Sequence, residues 1–388
     1  MQRTANPWMP VRFRPWPPQN STMIETLTLT DFRNHKVSRV ETHGARNIII
    51  IGENGAGKTA ILEALSMLSG DRGMRGADMT DIACFTGNGG FSVFGKTFDG
   101  DSVCIYFNNG DNNRRAKIND ENANLSDLGK LLRIVWISPK EDRLFVDSAA
   151  DRRAFFDRLA SNFDPNHSGR GAKFSKLLTE RAFALKSGAD SIWLDALDDQ
   201  LAAVAVAVAD ARVRYAGEVN YFLKSFSVSV DGMLEKMIIS GMPAAAAEHE
   251  YRNYLSKTRE LVADKMVLDG PHKSDFGMFN NELNLPVRLT STGQQKAALF
   301  DLILAHTNLL HTKTRHNCIV LFDEAAAHLD ANTRAKIFGT LNEMHIQVWT
   351  TGLDEKSFTD IPNAIIVTCH NGEIRSILYP KEEENGTN

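Results

Sequence analysis

The feature that most constrains this 388-residue chain is the segment 52–59, which matches the pattern GxxxxGK[ST] in full. A run of isoleucines at 47–51 precedes it and is typical of a strand buried on both faces. Apolar residues at helical spacing follow it, and Gly70 is a suitable helix stop. Glycines in such a loop let backbone N–H groups surround phosphate oxygens at the start of a helix. The segment therefore predicts a strand, a phosphate-binding loop and a helix, in that order.

Two side chains of this loop have the chemistry that a bound nucleoside triphosphate requires. Lys58 is expected to reach the β- and γ-phosphates, and the Thr59 hydroxyl is expected to bind Mg²⁺. The alternative is an accidental glycine turn, which the flanking strand and helix disfavour. The predicted ligands are ATP and Mg²⁺, and the predicted ATP-binding residues of the loop are Gly52, Glu53, Asn54, Gly55, Ala56, Gly57, Lys58 and Thr59.

A second apolar strand, at 318–322, ends in two acidic residues. This is a Walker B pattern, in which Asp323 is expected to hold Mg²⁺ through water. Glu324 is then expected to polarise the attacking water as a general base. Alone, the same string also fits a buried strand that ends in two solvated acids. The phosphate-binding loop elsewhere in the chain favours the catalytic interpretation.

The segment Ser291–Gln295, with the sequence STGQQ, precedes a helical pattern shortly before the second strand. It resembles the signature loop of ABC-type ATPases, and Asp330 matches the D-loop that follows Walker B in that class. The resemblance implies that the signature loop binds the γ-phosphate held by an opposite subunit. Alone, the string would be only a helix cap. The ordered set of motifs favours the ABC class, with ATP contacts from Ser291, Gly293, Gln294 and Asp330.

The rest of the chain divides by its local patterns. Strand patterns dominate 23–148 and return over 266–380, the two predicted halves of an ATPase core. Between them, 149–265 is rich in Ala, Leu, Lys and Asp and has no sustained heptad repeat. Residues 1–22 are expected to be a disordered, proline-rich extension, and 381–388 a tail. The predicted fold class is α/β: an ABC-type P-loop ATPase core of mixed sheet and flanking helices, with an inserted, mostly helical lobe and no long coiled coil.

Composition indicates where the protein is located more than what it does. No apolar run approaches the roughly 20 residues of a membrane span. Four cysteines without metal-site spacing predict reduced thiols and a cytoplasmic location. A net charge of −4 requires local basic patches for any contact with nucleic acid. Each basic side chain alone is better explained by solvation or internal pairing, and only as a group near the nucleotide lobe do they indicate phosphate contacts. The candidate DNA contacts are Arg72, Arg75, Arg114 and Arg115, together with Lys117, Arg152 and Arg153.

Several further segments resemble motifs of the RecF family of DNA replication and repair proteins. The similarity runs from Met23 to about Ile377, and Ser274 stands where that family has an acid. No glutamine was identified that would serve as a Q-loop. The segments that carry the resemblance are the FRN opening in Asp31–His35, the basic glycine loop Gly73–Ala77, the pair Ser138–Asp142 and Asp151–Asp157, and the GPHKSD box Gly270–Asp275.

This resemblance implies an ATP-dependent homodimer that clamps double-stranded and gapped DNA at single-strand junctions, with slow, DNA-dependent ATP hydrolysis. It also implies a role in replication, recombinational repair and the SOS response, and a RecR-type mediator as the partner in loading recombinase. An SMC-like structural ATPase is the first alternative, but it would need a coiled coil longer than 149–265 allows. A transporter subunit is the second, but Thr350 and Thr351 stand where it would have a switch histidine. RecF proteins also have threonines at this position, and the resemblance implies that a threonine hydroxyl is the γ-phosphate sensor.

Overall fold

The computed structural model describes residues 23–259, 268–314, 318–326 and 329–379. The predicted extension 1–22, the tail 381–388 and residues 327–328 of the D-loop segment lie outside the described residues. The strands are β1 Ile24–Phe32, β2 His35–Glu41, β3 Asn47–Ile51, β4 Phe91–Thr97, β5 Ser102–Phe107, β6 Arg115–Ile118, β7 Glu121–Ala123, β8 Arg133–Ile137, β9 Phe226–Asp231, β10 Asp275–Asn280, β11 Leu285–Pro286, β12 Cys318–Phe322, β13 Gln347–Gly352, β14 Ala364–His370 and β15 Glu373–Leu378. The helices are α1 Lys58–Met67, α2 Met79–Ile82, α3 Leu125–Leu131, α4 Ala149–Ser161, α5 His167–Lys186, α6 Ser191–Asn220, α7 Met233–Ile239, α8 Ala244–Lys257, α9 Thr292–Thr314 and α10 Ala331–Glu343.

A six-stranded sheet with the order β15-β14-β3-β13-β12-β8 forms the centre of the molecule. All its pairings are parallel except that of the edge strand β15 with β14. The isoleucine run of β3 is buried on both faces, as the sequence predicts: Ile48 and Ile50 join one apolar cluster and Ile49 joins the other. Parallel strands direct their carboxyl ends to one edge, so the loops after β3, β12 and β13 meet there.

Helix α1 covers one face of this sheet and is itself covered by a second sheet. That second sheet is antiparallel, with the order β2-β1-β4-β5-β6-β7. Apolar residues of β1, β4, β5 and α1 share one cluster with Ile48 and Ile50. Because α1 lies between two layers, nearly every one of its residues is buried, including Glu63 and Ser66. Its position is therefore fixed from both sides.

Helices α4, α6, α9 and α10 supply the apolar residues on the other face of the central sheet. A three-stranded antiparallel sheet, β11-β10-β9, packs with them, and the rings of Phe156 and Phe276 stack there at 4.3 Å. Strand β9 lies inside the stretch 149–265 that was predicted to be mostly helical, and it pairs with β10 of the C-terminal half. Its buried residues are Phe226, Val228 and Val230, a short alternation that the surrounding helical pattern concealed.

The remaining helices form a separate apolar cluster built from α5, α6, α7 and α8. Inside it, the side chains of Arg181 and Asp198 form a buried ion pair at 2.5 Å. Helix α6 has 30 residues, the most of any described helix, so the described part of the chain has no long coiled coil. It also has no helix with the length and apolar character needed to cross a membrane.

Short turns join the strands of the antiparallel sheet. The turn at 108–113 joins β5 to β6, and a separate turn at 98–101 joins β4 to β5. Strand β11 has only two residues and is followed by a 3₁₀ turn, Val287–Leu289. Strands β6 and β7 are short and largely polar, and β2 alternates only weakly between buried and exposed residues.

Candidate nucleotide-binding site

The phosphate-binding loop lies between β3 and α1, where the sequence predicts it. Gly57 precedes the helix with a φ of +107°, a left-handed conformation that L side chains rarely adopt. The Lys58 side chain is only 4% exposed, and its ammonium donates to the carbonyls of Gly52 at 2.7 Å and Glu53 at 3.0 Å. The loop backbone therefore supplies the oxygens that pair with the buried Lys58 ammonium, and a bound triphosphate would supply them instead.

The turn between β1 and β2 supports the loop from the side. The Nε2–H of His35 donates to the Gly57 carbonyl at 3.0 Å, and the Asn34 amide donates to the Gly55 carbonyl at 3.3 Å. Burial lowers the pKa of His35, which favours the neutral imidazole. The Nδ1 of His35 lies 2.7 Å from the Ser38 hydroxyl. The FRN segment, identified only by resemblance, is thus a brace for the phosphate loop.

Asp323 connects the ends of three elements. Its Oδ1 accepts from the Thr59 hydroxyl at 3.0 Å and from the Thr351 hydroxyl at 2.8 Å. Its backbone N–H donates to Ile137 at the end of β8. Burial raises the pKa of the Asp323 carboxyl, and the two hydroxyl donors oppose that rise. The predicted pair of Mg²⁺ ligands, Thr59 and Asp323, is therefore in direct contact.

Glu324 has a φ of +55°, which is uncommon for a residue with a side chain. Its backbone N–H donates to Thr351 Oγ1 at 2.8 Å, so one hydroxyl positions both acids. The Thr350 hydroxyl donates to Phe322 at 3.1 Å. Both threonines, named as a candidate γ-phosphate sensor, thus bond to Walker B atoms. A backbone conformation of this kind persists only where surrounding bonds hold it, and it is common at functional sites.

A cleft runs along the loop in two adjoining parts. One part, of about 480 Å³, is lined by the Walker B acids and by Thr59, Arg75 and Lys140. The other, of about 590 Å³, extends past Lys58 towards Asn54 and Phe85. Thr59, Arg75 and Glu324 line both parts. Arg75, a candidate DNA contact, therefore lies among the predicted nucleotide-binding residues.

A turn that the sequence did not identify as part of the site also lines the cleft. It follows β8 and contributes Ser138, Pro139 and Lys140 opposite Asp323 and Glu324. The carboxylate of Glu141 closes this turn by accepting from the Ser138 N–H at 2.9 Å and from its hydroxyl at 2.6 Å. The only sequence signal was the resemblance of Ser138–Asp142 to a RecF motif.

The other candidate DNA contacts separate by their partners. The Arg114 guanidinium donates to the backbone carbonyls of Gly70 and Asp71, in the turn that follows α1. Arg115 pairs with Asp111 at 3.0 Å and stays mostly exposed, and Arg72 is exposed. Arg152 binds Asp275 through two bonds of 2.7 and 2.8 Å, Arg153 donates to Ser274, and the Lys117 ammonium lies 5.8 Å from the Tyr106 ring.

The signature loop lies at the exposed start of α9. The Ser291 N–H donates to the Gln294 side chain at 3.2 Å, and Ser291 Oγ accepts from the Gln294 N–H at 3.4 Å. This is a reciprocal capping box. Gly293 is exposed, and neither part of the cleft is lined by this loop. Asp330 likewise caps α10, accepting from the Thr333 N–H at 2.9 Å. The structure does not bring these residues to the P-loop of the same chain.

Comparison with known proteins identifies the class. The family model described as RecF/RecN/SMC N terminal domain matches residues 23–375. The DNA replication and repair protein RecF of Mesorhizobium japonicum is 35% identical over 359 residues, which is 88% of this chain and 94% of that protein. The chain therefore belongs to the RecF/RecN/SMC N-terminal domain family. Within that family, the identity over nearly the whole of both chains makes it a member of the RecF proteins.

Solved structures agree on the fold. The structure of the recombination mediator protein RecF-ATP in the RecFOR pathway has a TM-score of 0.79 at 21% identity, covering 92% of this chain and 99% of that one. The crystal structure of an Smc head bound to the C-winged helix domain of ScpA has a TM-score of 0.53 at 14% identity, covering 92% and 98%. The predicted ABC-type core and the RecF resemblance are confirmed.

Two glycines of the loop make a matched test of its geometry. A Cβ on Gly57 would lie 2.5 Å from His35 Nε2, whereas a Cβ on Gly55 would have no neighbour within 4 Å. Both residues have positive φ, so both Ala substitutions incur strain of about 1–2 kcal/mol. Gly57→Ala should cost about 1–3 kcal/mol more through overpacking. Urea unfolding should show the larger loss of stability for Gly57→Ala, and equal losses would contradict the bracing role of His35.

Proposed function

We propose that this protein binds ATP with Mg²⁺ and uses it to join two chains into a clamp on DNA, with slow, DNA-dependent hydrolysis of the ATP. The supporting observation is the hydrogen-bonded set of Thr59, Asp323, Thr351 and Glu324 at the P-loop. The protein would act at gapped DNA and single-strand junctions, in replication, recombinational repair and the SOS response. A RecR-type recombination mediator would be its partner in loading recombinase. We place it in the cytoplasm, in keeping with its four free cysteines.

Phosphate binding would begin with an exchange of partners at Lys58. Its ammonium would leave the carbonyls of Gly52 and Glu53 for the β- and γ-phosphate oxygens. The N–H groups of the loop and the start of α1 add partial positive charge at the same point. Arg75, which lines both parts of the cleft, adds a second full charge near the phosphates.

The residues present suit Mg²⁺. The Thr59 hydroxyl and the Asp323 carboxylate are hard oxygen ligands 3.0 Å apart. The described residues contain no group of three His, Cys, Asp or Glu that could hold a metal alone. That fits Mg²⁺, which commonly takes one or two protein ligands and completes its shell with phosphates and water. When bound, the ion would neutralise charge on the β- and γ-phosphates and keep Asp323 ionised.

Glu324 is the candidate general base. Its backbone N–H is fixed by Thr351, and its side chain lines the cleft beside Thr59. A carboxylate there can accept a proton from water that attacks the γ-phosphorus in line with the leaving oxygen. Because it makes no covalent bond to phosphate, its loss should affect the chemical step more than nucleotide binding.

Two variants separate binding from hydrolysis. Lys58→Ala should lose tight ATP binding, because it removes the main charge opposite the phosphates. Glu324→Gln should bind ATP normally and hydrolyse it roughly 10²–10⁴-fold more slowly, the usual contribution of a general base. Isothermal titration and single-turnover hydrolysis measure the two effects. Parental ATP affinity in Lys58→Ala would contradict the role of Lys58 in phosphate binding. Parental turnover in Glu324→Gln would contradict the role of Glu324 as general base.

The signature loop is proposed to complete the site of a second chain. Its Ser291 hydroxyl and the exposed backbone of Gly293 lie at the start of α9, a position suited to an anion. In its own chain the loop does not line the cleft, so the γ-phosphate it recognises would come from a partner. ATP would then lie between two surfaces, one from each chain, and Asp330 would belong to the same contact. ADP lacks the shared group and would not hold the dimer.

Ser291→Arg tests this contact. A bulky cation there should block ATP-driven dimerisation and leave ATP binding by the single chain nearly intact, and binding to gapped DNA should fall with the dimer. Ser191→Arg is the matched control, since Ser191 is also exposed and also lies at the N-terminal end of a helix, α6. Sedimentation velocity with ATP, ADP or no nucleotide, with and without gapped DNA, is the measurement. A parent that stays monomeric with ATP and DNA, or a Ser291 variant that dimerises, would refute the shared site.

Arg72 and Arg75 are expected to have different roles. Arg72→Glu should weaken DNA binding across sequences, with ATP affinity unchanged, and should reduce the salt dependence of DNA binding by about one counterion for each phosphate that is no longer neutralised. Arg75→Glu should weaken ATP binding first, because Arg75 lies in the cleft. DNA binding titrated at several salt concentrations, alongside ATP titration, distinguishes them. If the Arg72 variant keeps the parental salt dependence of DNA binding, Arg72 is only a solvated surface charge and not a DNA contact.

A further inference from the structure

Phe85 is the most exposed large apolar side chain that the structure describes, at 97%. Phe is among the residues most often buried, so a fully exposed ring leaves a large apolar area in contact with water. It lines the larger part of the cleft, with Lys58 and Asn54. A fully exposed ring beside a phosphate-binding loop is not explained by the apolar core.

The backbone around Phe85 is fixed rather than free. The Cys84 N–H donates to Asp31 at 2.8 Å, and Ala83 forms a bridge with Phe32. From the other side, the Arg33 N–H donates to Ile82 at 2.7 Å. These bonds attach the segment before Phe85 to the β1–β2 turn.

That turn is in turn bonded to the phosphate loop through Asn34 and His35. The distance from Phe85 to the loop is therefore set by a continuous chain of hydrogen bonds. The Arg33 guanidinium, which also lines this part of the cleft, is held by the buried Glu63 at 2.6 and 2.9 Å and by the Asp81 carbonyl at 2.8 Å. The Arg33 guanidinium is thus held in place, and the backbone next to Phe85 is attached to the same turn.

We propose that Phe85 is the stacking platform for the base of the bound nucleoside triphosphate, with the fixed guanidinium of Arg33 as a second planar surface beside it. This inference rests on the proposed ATP binding. Stacking on an aromatic ring is tolerant of base identity, because every base has a π face. Phe85 would therefore contribute affinity for the nucleoside and little choice between adenine and guanine.

The test compares ligands with and without a base. Equilibrium binding of ATP, GTP and tripolyphosphate, each with Mg²⁺, is measured for the parent, Phe85→Ala and Phe85→Trp. Phe85→Ala should weaken ATP and GTP binding about tenfold to a hundredfold and leave tripolyphosphate unchanged. Phe85→Trp should restore nucleotide affinity, with its fluorescence altered by ATP and not by tripolyphosphate. Phe183→Ala is the control, since Phe183 is 73% exposed on α5 and does not line the cleft.

The outcomes separate the two levels of inference. ATP binding that depends on Lys58 but not on Phe85 would overturn the stacking role and leave the proposed function standing. Equal losses for ATP and tripolyphosphate would also overturn it, since they would indicate a disturbed phosphate loop. A Phe85→Ala protein with parental ATP affinity but no ATP-driven dimer would instead assign the ring to the contact between chains. A parent that binds no ATP would overturn the proposed function, and this inference with it.

Discussion

The site depends on one buried carboxylate oxygen. Asp323 Oδ1 accepts from Thr59 at the start of α1 and from Thr351 near the end of β13, so three elements remote in sequence meet at one atom. Burial of a carboxylate is costly unless it is hydrogen-bonded, and the two hydroxyls supply those bonds. The parallel order β3-β13-β12 is what brings these ends together. Without it, the P-loop and the Walker B acids would be two unrelated motifs.

The surroundings of Asp323 Oδ1 are rigid because the elements around it are packed and hydrogen-bonded from several sides. Helix α1 is buried between the central sheet and the antiparallel sheet, and the β1–β2 turn bonds to the loop at Gly55 and Gly57. The Gly372 N–H donates to the Ala56 carbonyl from a third direction. Glu324 lies outside that loop, and the Thr351 hydroxyl holds it in its uncommon backbone conformation. Phosphate and water would then meet groups that are already oriented, which is the condition for efficient electrostatic catalysis.

The sequence predicted what local pattern determines: the isoleucine strand, the P-loop, the Walker B strand and the exposed helix start at Ser291. It missed what depends on distant partners. The pattern that predicted helix around β9 gave no sign of β10, with which β9 pairs. Arg114 was a candidate DNA contact, but its guanidinium donates to backbone carbonyls in the turn after α1. Thr351 was named only through the resemblance, as a candidate γ-phosphate sensor, because its bonds to Asp323 and Glu324 depend on the folded chain.

In the proposed roles, some contacts to the nucleotide are the same in the monomer and the dimer, and others form only in the dimer. Phe85 and Lys58 belong to one chain and would meet ATP before and after dimerisation, so they add affinity without favouring either state. The γ-phosphate is different, because Ser291 of a second chain would reach it only in the dimer. A ligand shifts an equilibrium only by the difference in its affinity for the two states. Stronger base stacking would therefore tighten ATP and ADP alike, and only the γ-phosphate contact could make ATP the signal that closes the clamp.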